Sequence, residues 1–250
     1  MPQHGADSIQ AQAAGPDPGF DAAFYLAENP DVAAIGADPY THYRTTGRAE
    51  FRLPRPEVQL VAASGLFDAN YYLINAADVL DAGTDPLAHF CGAGWCEGRK
   101  PNPYFDPVWY CARTARPPGL APLTHYILAG EAEGARPSLM FDPAWYRRAY
   151  DIPANASPLA HYLAHRGSQR FSPLPLFDVA FYVAAHREEI RPGRDPFAHY
   201  LAVGAARDFD PAPWFNAAAY RAARMTTPAD TAELRNPLLH FLLTIVLAEV

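Results

Sequence analysis

Lysine is almost missing from this chain: Lys100 is the single one, and 20 basic residues against 27 acidic ones leave a formal charge of −7. A surface for nucleic acid or an anionic membrane needs clustered Lys and Arg, so neither partner is expected. Cysteine is scarce as well. Cys91, Cys96 and Cys111 are an odd number without regular spacing, which excludes a disulfide framework, and the group His89, Cys91, Cys96, Cys111 has no familiar zinc-ligand spacing. No apolar run reaches the length of a membrane span. The N-terminus, MPQHGADSIQAQAAGPDPG, lacks the basic start and apolar core of a secretory signal, so the chain is expected to be made in the cytoplasm. P-loop, GxGxxG, HExxH and GxSxG motifs are all missing. The acidic triplet Asp208-Phe209-Asp210, of a kind that holds a metal and a nucleotide sugar in many glycosyltransferases, sits in a connector with no strand before it. No catalytic residue, metal or cofactor is expected, and the chain reads as a non-enzyme.

What the chain does have is a repeat. Aligned on Phe-Asp or Phe-Asn, six copies begin at Phe20, Phe67, Phe105, Phe141, Phe177 and Phe215, spaced by 47, 38, 36, 36 and 38 residues. Each copy carries a Pro followed three residues later by a His, which places six of the nine histidines (His42, His89, His125, His161, His199 and His240) at one equivalent position. A period of this size belongs to stacked arrays. The spacing therefore predicts an all-α fold, an array of six helix-turn-helix repeats of the α-solenoid kind over 20–250, preceded by a flexible lead at 1–19.

Within a copy, the Asp after the Phe suits an N-cap, and the Phe then falls at N′ with a Tyr at N4: Phe20/Tyr25, Phe67/Tyr72, Phe105/Tyr110, Phe141/Tyr146, Phe177/Tyr182 and Phe215/Tyr220. A second helix starts after Asp38, Asp85, Ala121, Ser157, Asp195 or Asn236, of which Ala121 alone has no capping side chain. Gly47, Gly94, Gly130 and Gly204, five residues after the His, mark the expected left-handed C′ residue. Fuller copies add a short middle segment, as in Asn29 to Gly36. Helices this short are marginal alone, so stacking must stabilise them. Two stretches depart from the pattern. The connector at 51–66 is longer than the others and is the expected hinge or binding loop. The end, 236–250, keeps an apolar run from Leu238 to Leu247 interrupted by His240 and Thr244, expected to be either buried on the chain's own core or covered by a protein partner or a second copy.

A catalytic residue needs to occur once, so six equivalent histidines point to a structural role, such as an imidazole bonding a carbonyl of the neighbouring repeat. An array also separates them instead of converging them on one ion. Cys91 and Cys111 stand where other copies have Leu, Ile or Val, and Cys96 where they have Ala or Ser, which reads as buried thiols. Trp109 and Trp145 occupy the N3 position also held by Phe24, Tyr71 and Phe181 and read as packing residues. Trp95 and Trp214, with Glu97, Arg99, Glu133 and Arg136 in the connectors, could line grooves between copies, because flat aromatics beside charged hydrogen-bonding groups are what sugar rings bind.

The pattern FDxxYYLxxNPDVxxxGxDPLxHYxxxGxxEGRxPxPxFD resembles a tandem repeat of bacterial proteins of cell-surface polysaccharide metabolism, where it flanks glycosyltransferase or rhamnan-synthesis-type domains, and of some large surface proteins. It covers residues 20–250 and is fullest in FDANYYL, AGTDPLAHF and GWCEGRKPNP of copy two; copies four and five lose the EGR element and copy six loses the connector. No transferase domain accompanies it in this chain, so no catalytic residue carries over. The resemblance implies a helical repeat protein that binds a bacterial surface (capsular) polysaccharide or positions other machinery on it, acting at the cell surface as part of an assembly. The competing expectations are a protein-interaction scaffold without sugar contact and a receptor-binding component of a phage-like particle.

Overall fold

The computed structural model describes residues 20–225 and 235–248, the last four of these in backbone only; the lead at 1–19 and the last two residues of the apolar end lie outside the described residues. Among the described residues the fold is all-helical, with no strand beyond three isolated bridges, Asn102↔Phe105, Ser138↔Phe141 and Ala212↔Phe215, one in each of three connectors. The chain divides into two compact units, one ending at Leu60 and one beginning at Val61. The first contains copy one, with α1 (Ala22–Glu28), α2 (Pro30–Ala34) and α3 (Pro39–His42), and then the start of α4 (Glu57–Ser64). The second contains α5 (Ala69–Ile74), α6 (Ala77–Asp81) and α7 (Pro86–His89) of copy two, α8 (Pro107–Cys111) and α9 (Pro122–His125) of copy three, and α10 (Pro143–Ala149) and α11 (Pro158–His165) of copy four. It continues through α12 (Val179–His186) and α13 (Pro196–His199) of copy five to α14 (Ala217–Arg224) and α15 (Pro237–Ala248) of copy six.

The helix starts follow the sequence signals. Asp21, Asp68, Asp106, Asp142, Asp178 and Asn216 each accept the N3 backbone N–H with a side-chain oxygen, at 2.7–3.0 Å. The Phe and Tyr of every copy meet with ring centroids 5.0–5.3 Å apart, the predicted staple six times over. The capping N–H of the Asp is itself donated to a proline carbonyl at the end of the same copy: Asp21 to Pro54, Asp68 to Pro101, Asp106 to Pro137, Asp142 to Pro173 and Asp178 to Pro211. Each of the first five copies thus closes on itself before the next begins.

The 51–66 connector, within which the two units divide, is helical in part. It holds α4, because a run of helix formers after Pro56 buries Leu60 and Val61, and Gly65, at φ +70°, supplies the left-handed exit.

A correction concerns Gly47, Gly94, Gly130 and Gly204. None of them has positive φ. The second helices of copies one, two, three and five run on through a wide π-helical turn ending on these glycines (Tyr43–Gly47, Phe90–Gly94, Tyr126–Gly130 and Tyr200–Gly204). A Cβ on Gly130 would lie well inside van der Waals contact of the Tyr110 hydroxyl oxygen and 3.2 Å from Cζ, and the other three glycines face Tyr25, Tyr72 and Tyr182 in the same way. In these four copies the missing Cβ leaves the room that the hydroxyl occupies against the helix. Copies four and six have Arg166 and Ile245 at that position and no π turn: the second helix passes into a 3-10 turn at Arg166–Ser168 in copy four and stays α-helical in copy six.

Unit two is wound more tightly than a stack of nearest neighbours. Asp68 of copy two is paired with Arg166 of copy four at 2.6 Å, and Tyr104, in the connector after copy two, donates to Asp195 of copy five at 2.5 Å and packs edge-on to Tyr162. One continuous core runs from Val61 to Leu242. The α15 helix contributes Leu238, Leu239 and Leu242, all buried, so that face of the apolar end folds back on the chain's own core.

Candidate functional site

The repeated histidines are explained first. In every copy His Nδ1 lies 2.8–3.0 Å from the staple tyrosine's hydroxyl: Tyr25/His42, Tyr72/His89, Tyr110/His125, Tyr146/His161, Tyr182/His199 and Tyr220/His240. Burial raises the phenol of each of these tyrosines, which therefore keeps its proton, and burial pulls His125 and His161 down, which keeps them neutral. We assign the more acidic O–H as donor to Nδ1, leaving the ring proton on Nε2. The partner is thus a hydroxyl of the same copy and not a carbonyl of the neighbouring one, and the bond forms both with the π-turn glycine (copies one, two, three and five) and without it (copies four and six).

Copies are joined by a different rule. The residue after the His sends its hydroxyl to the cap of the next copy's second helix: Tyr162 to Asp195 at 3.3 Å and Tyr200 to Asn236 at 3.3 Å. Tyr126 reaches Ser157 through the Glu131 carboxylate, which accepts from both at 2.9 and 2.8 Å. Phe90 has no hydroxyl, and the cap it would meet is Ala121. Burial raises the Glu131 carboxyl in spite of these donors.

The six residues singled out for sugar contact are dispersed. Glu97 and Arg99 pair with each other at 2.5 Å, and Arg99 also grips Asp78 of α6 through two bonds of 2.7 Å, pulling Asp78 down to about 2. Arg52 holds Glu50 and Asp31 likewise in copy one. Copy three has lost the acidic middle segment and has Ala135 in place of the gripping arginine. Arg136 instead corresponds to Lys100, and these two sit 4.0 and 2.7 Å from Asp142 and Asp106. Glu133 is exposed. Trp95 is half-buried with the Arg116 guanidinium 5.7 Å over its ring, and Trp214 is 55% exposed beside Phe215 and Phe241.

Other sequence candidates are also accounted for. Asp208 is paired with Arg221 at 2.6 Å, Asp210 caps Ala217 N–H at 2.8 Å, and Phe209 stacks on His186 at 3.9 Å, so the acidic triplet fastens copy five to copy six. The buried-thiol reading holds for none of the cysteines in full: Cys91 is half-buried, and Cys96 and Cys111 are exposed because their positions lie on the outer face of short helices and turns. Among the described residues no group of His, Cys, Asp and Glu is placed to hold a metal, and no helix is long and apolar enough to cross a membrane.

Of the open grooves in unit two, two are lined by the side chains of interest. One, of about 320 Å³, runs along α8 and the following connector to Leu243 of α15, with Trp109, Leu139 and Met140 in its wall. Arg113 stacks 4.6 Å from the Trp109 ring, and Val108 at the rim is 65% exposed. Sequence reasoning placed Trp109 with the packing residues. Its repeat position is indeed the packing one, and only the return of α15 to copy three makes a groove there. The second groove, of about 470 Å³, lies in copy five between the Ile190–Asp195 turn and α13. Comparison of the chain with protein-family models, curated proteins and solved structures finds no match.

Proposed function

We propose that this chain is a non-enzymatic binding protein whose ligand is a bacterial cell-surface polysaccharide of capsular type. The observation that carries the reading is the presence of indoles at more than one place along the array: Trp95 beside Arg116, Trp109 under Arg113 in an open groove, and Trp214 exposed over Phe215 and Phe241. A sugar ring offers an apolar C–H face to an indole and hydroxyls to flanking charged groups, and a shallow groove with a few polar partners suits it. A chain of such rings can occupy several junctions at once, so weak single sites add through effective concentration. The resemblance of the repeat to those of polysaccharide-associated surface proteins supports the same reading, with action at the cell surface as part of an assembly.

The test is capture of purified capsular polysaccharides by the full chain and by a Trp95→Ala, Trp214→Ala double variant. The reading expects capture by the wild type and weakened capture by the variant at unchanged helix content. Equal capture by both, or none by the wild type, overturns it. A protein-interaction scaffold, including a component of a phage-like particle, is the second reading, favoured by Ile74 and Leu80 of copy two, 82% and 57% exposed.

A further inference from the structure

The copy-five groove has an unusual charge pattern. Two carboxylates line it, and both are taken: Glu189 pairs with Arg207, and Asp195 accepts from the Tyr104 and Tyr162 hydroxyls and from the Phe197 and Ala198 N–H groups. Arg191 and Arg194 line it too, both are exposed, and neither has an ion-pair partner among the described residues. The backbone that carries them is pinned. Gln169 Nε2 donates to the Arg191 and Arg194 carbonyls at 2.9 and 3.3 Å, and Gly167 packs so closely that a Cβ on it would lie 2.6 Å from the Gly193 carbonyl oxygen. His199 also faces the groove. Its Nδ1 is committed to Tyr182 at 2.9 Å, which leaves Nε2–H as a further donor. Buried Ile190, with Val203, gives the groove an apolar side.

From this arrangement, free donors on a fixed turn with the acids already neutralised and an apolar wall beside them, we propose that the copy-five groove binds an acidic sugar residue. Arg191 and Arg194 hold its oxyanion, a carboxylate or a sulfate, while the ring lies against the Ile190 side. Guanidinium suits such planar, multi-oxygen anions through paired N–H donors. The inference rests on the polysaccharide reading and names its ligand class as an acidic polymer. A chain carrying −7 overall repels a polyanion at long range, so recognition has to come from this local site and weakens as salt screens it.

The experiment is calorimetric titration of the full chain with polygalacturonate, dextran sulfate, neutral dextran and free galacturonate, repeated on an Arg191→Ala, Arg194→Ala double variant. Both arginines are exposed, so the variant is expected to keep the wild-type helix content and melting temperature. The wild type should bind one of the two acidic polymers over neutral dextran, the carboxylate and sulfate arms telling the two anions apart, and the variant should lose about tenfold or more of that affinity. If no acidic ligand binds, or if the variant binds it as the wild type does, the inference is overturned; binding of neutral dextran that depends on Trp214 would then leave the polysaccharide reading standing. Arginine-dependent binding of free galacturonate with no polymer captured would keep the anion site and overturn the polysaccharide reading instead.

Discussion

Replacing Gly130 by Ala puts a methyl group where the Tyr110 hydroxyl lies. Tyr110 is fully buried, its oxygen is 2.8 Å from His125 Nδ1, and the added Cβ would also lie 3.2 Å from Cζ. The phenol has to move, which breaks the bond to His125 in a buried setting at a cost of about 1–3 kcal/mol. Overpacking adds about 1–3 kcal/mol, and the better helix propensity of Ala returns roughly 1 kcal/mol. The net expectation is a loss of about 1–5 kcal/mol in urea unfolding followed by circular dichroism, with coincident fluorescence as the check on two-state behaviour. The decisive comparison is with Tyr110→Phe. Alone it should cost about 1–3 kcal/mol by leaving Nδ1 without this donor. Combined with Gly130→Ala it should cost far less than the sum, because the colliding atom is gone. Additivity of the two within about 0.5 kcal/mol would refute the argument that the glycine leaves room for the hydroxyl. Gly92→Ala in the same π-helical turn as Gly94 is the control: nothing lies within 4 Å of its Cβ, so the variant should be neutral or slightly more stable.

Removing the guanidinium with Arg166→Ala should cost about 1–3 kcal/mol and lower hydrogen-exchange protection in copies two, four and five together, since Arg166 joins Asp68 and Asp195; a loss confined to copy four would contradict the winding. Acid titration has two opposed contributions. Burial lowers His125 below its ordinary 6.5, so the unfolded chain binds more protons and stability falls as pH drops below that value. Burial raises Glu131 above its ordinary 4.5, so its contribution is fully present below 4.5 and is lost as pH rises through the folded value; Glu131→Gln should remove that loss, seen as a flatter pH dependence of the urea midpoint. Arg99→Ala should let Asp78 return from about 2 toward 3.8 in an NMR titration and speed amide exchange across α6, and an unmoved Asp78 would show that Arg99 is not its clamp.

Much of this was readable from local spacing. Phe67, Asp68 and Tyr72 sit within one turn of a helix start, so their positions alone imply the cap and the staple, and the same holds for the other five copies. What was not readable depended on partners far away in the chain. The hydroxyl acceptor for Tyr110 is 15 residues on, and a glycine serving a neighbour's oxygen looks in sequence like a glycine serving a left-handed turn. Arg166 was visible as the residue replacing that glycine in HYLAHRG, yet its partner Asp68 is 98 residues earlier. The Phe90 and Ala121 pair, lacking hydroxyl and cap together, was a signal that could have revealed the inter-copy bond. The angle between copies is set by such contacts, so the return of α15 onto Trp109 had no local mark. The candidate grooves follow from that winding, which is why Trp109 and the Arg191–Arg194 turn were passed over.

The central claim is that the repeat array captures a long glycan through several weak sites, and the most direct measurement is the affinity of the full chain for one acidic capsular polysaccharide against its own short oligosaccharides, by calorimetry at fixed sugar-residue concentration. The account predicts that the long polymer binds more tightly, by a factor on the order of a hundred or more, and that shortening it below the reach of two junctions abolishes the gain. Equal affinity per site for polymer and oligosaccharide, or no binding of either, would contradict it.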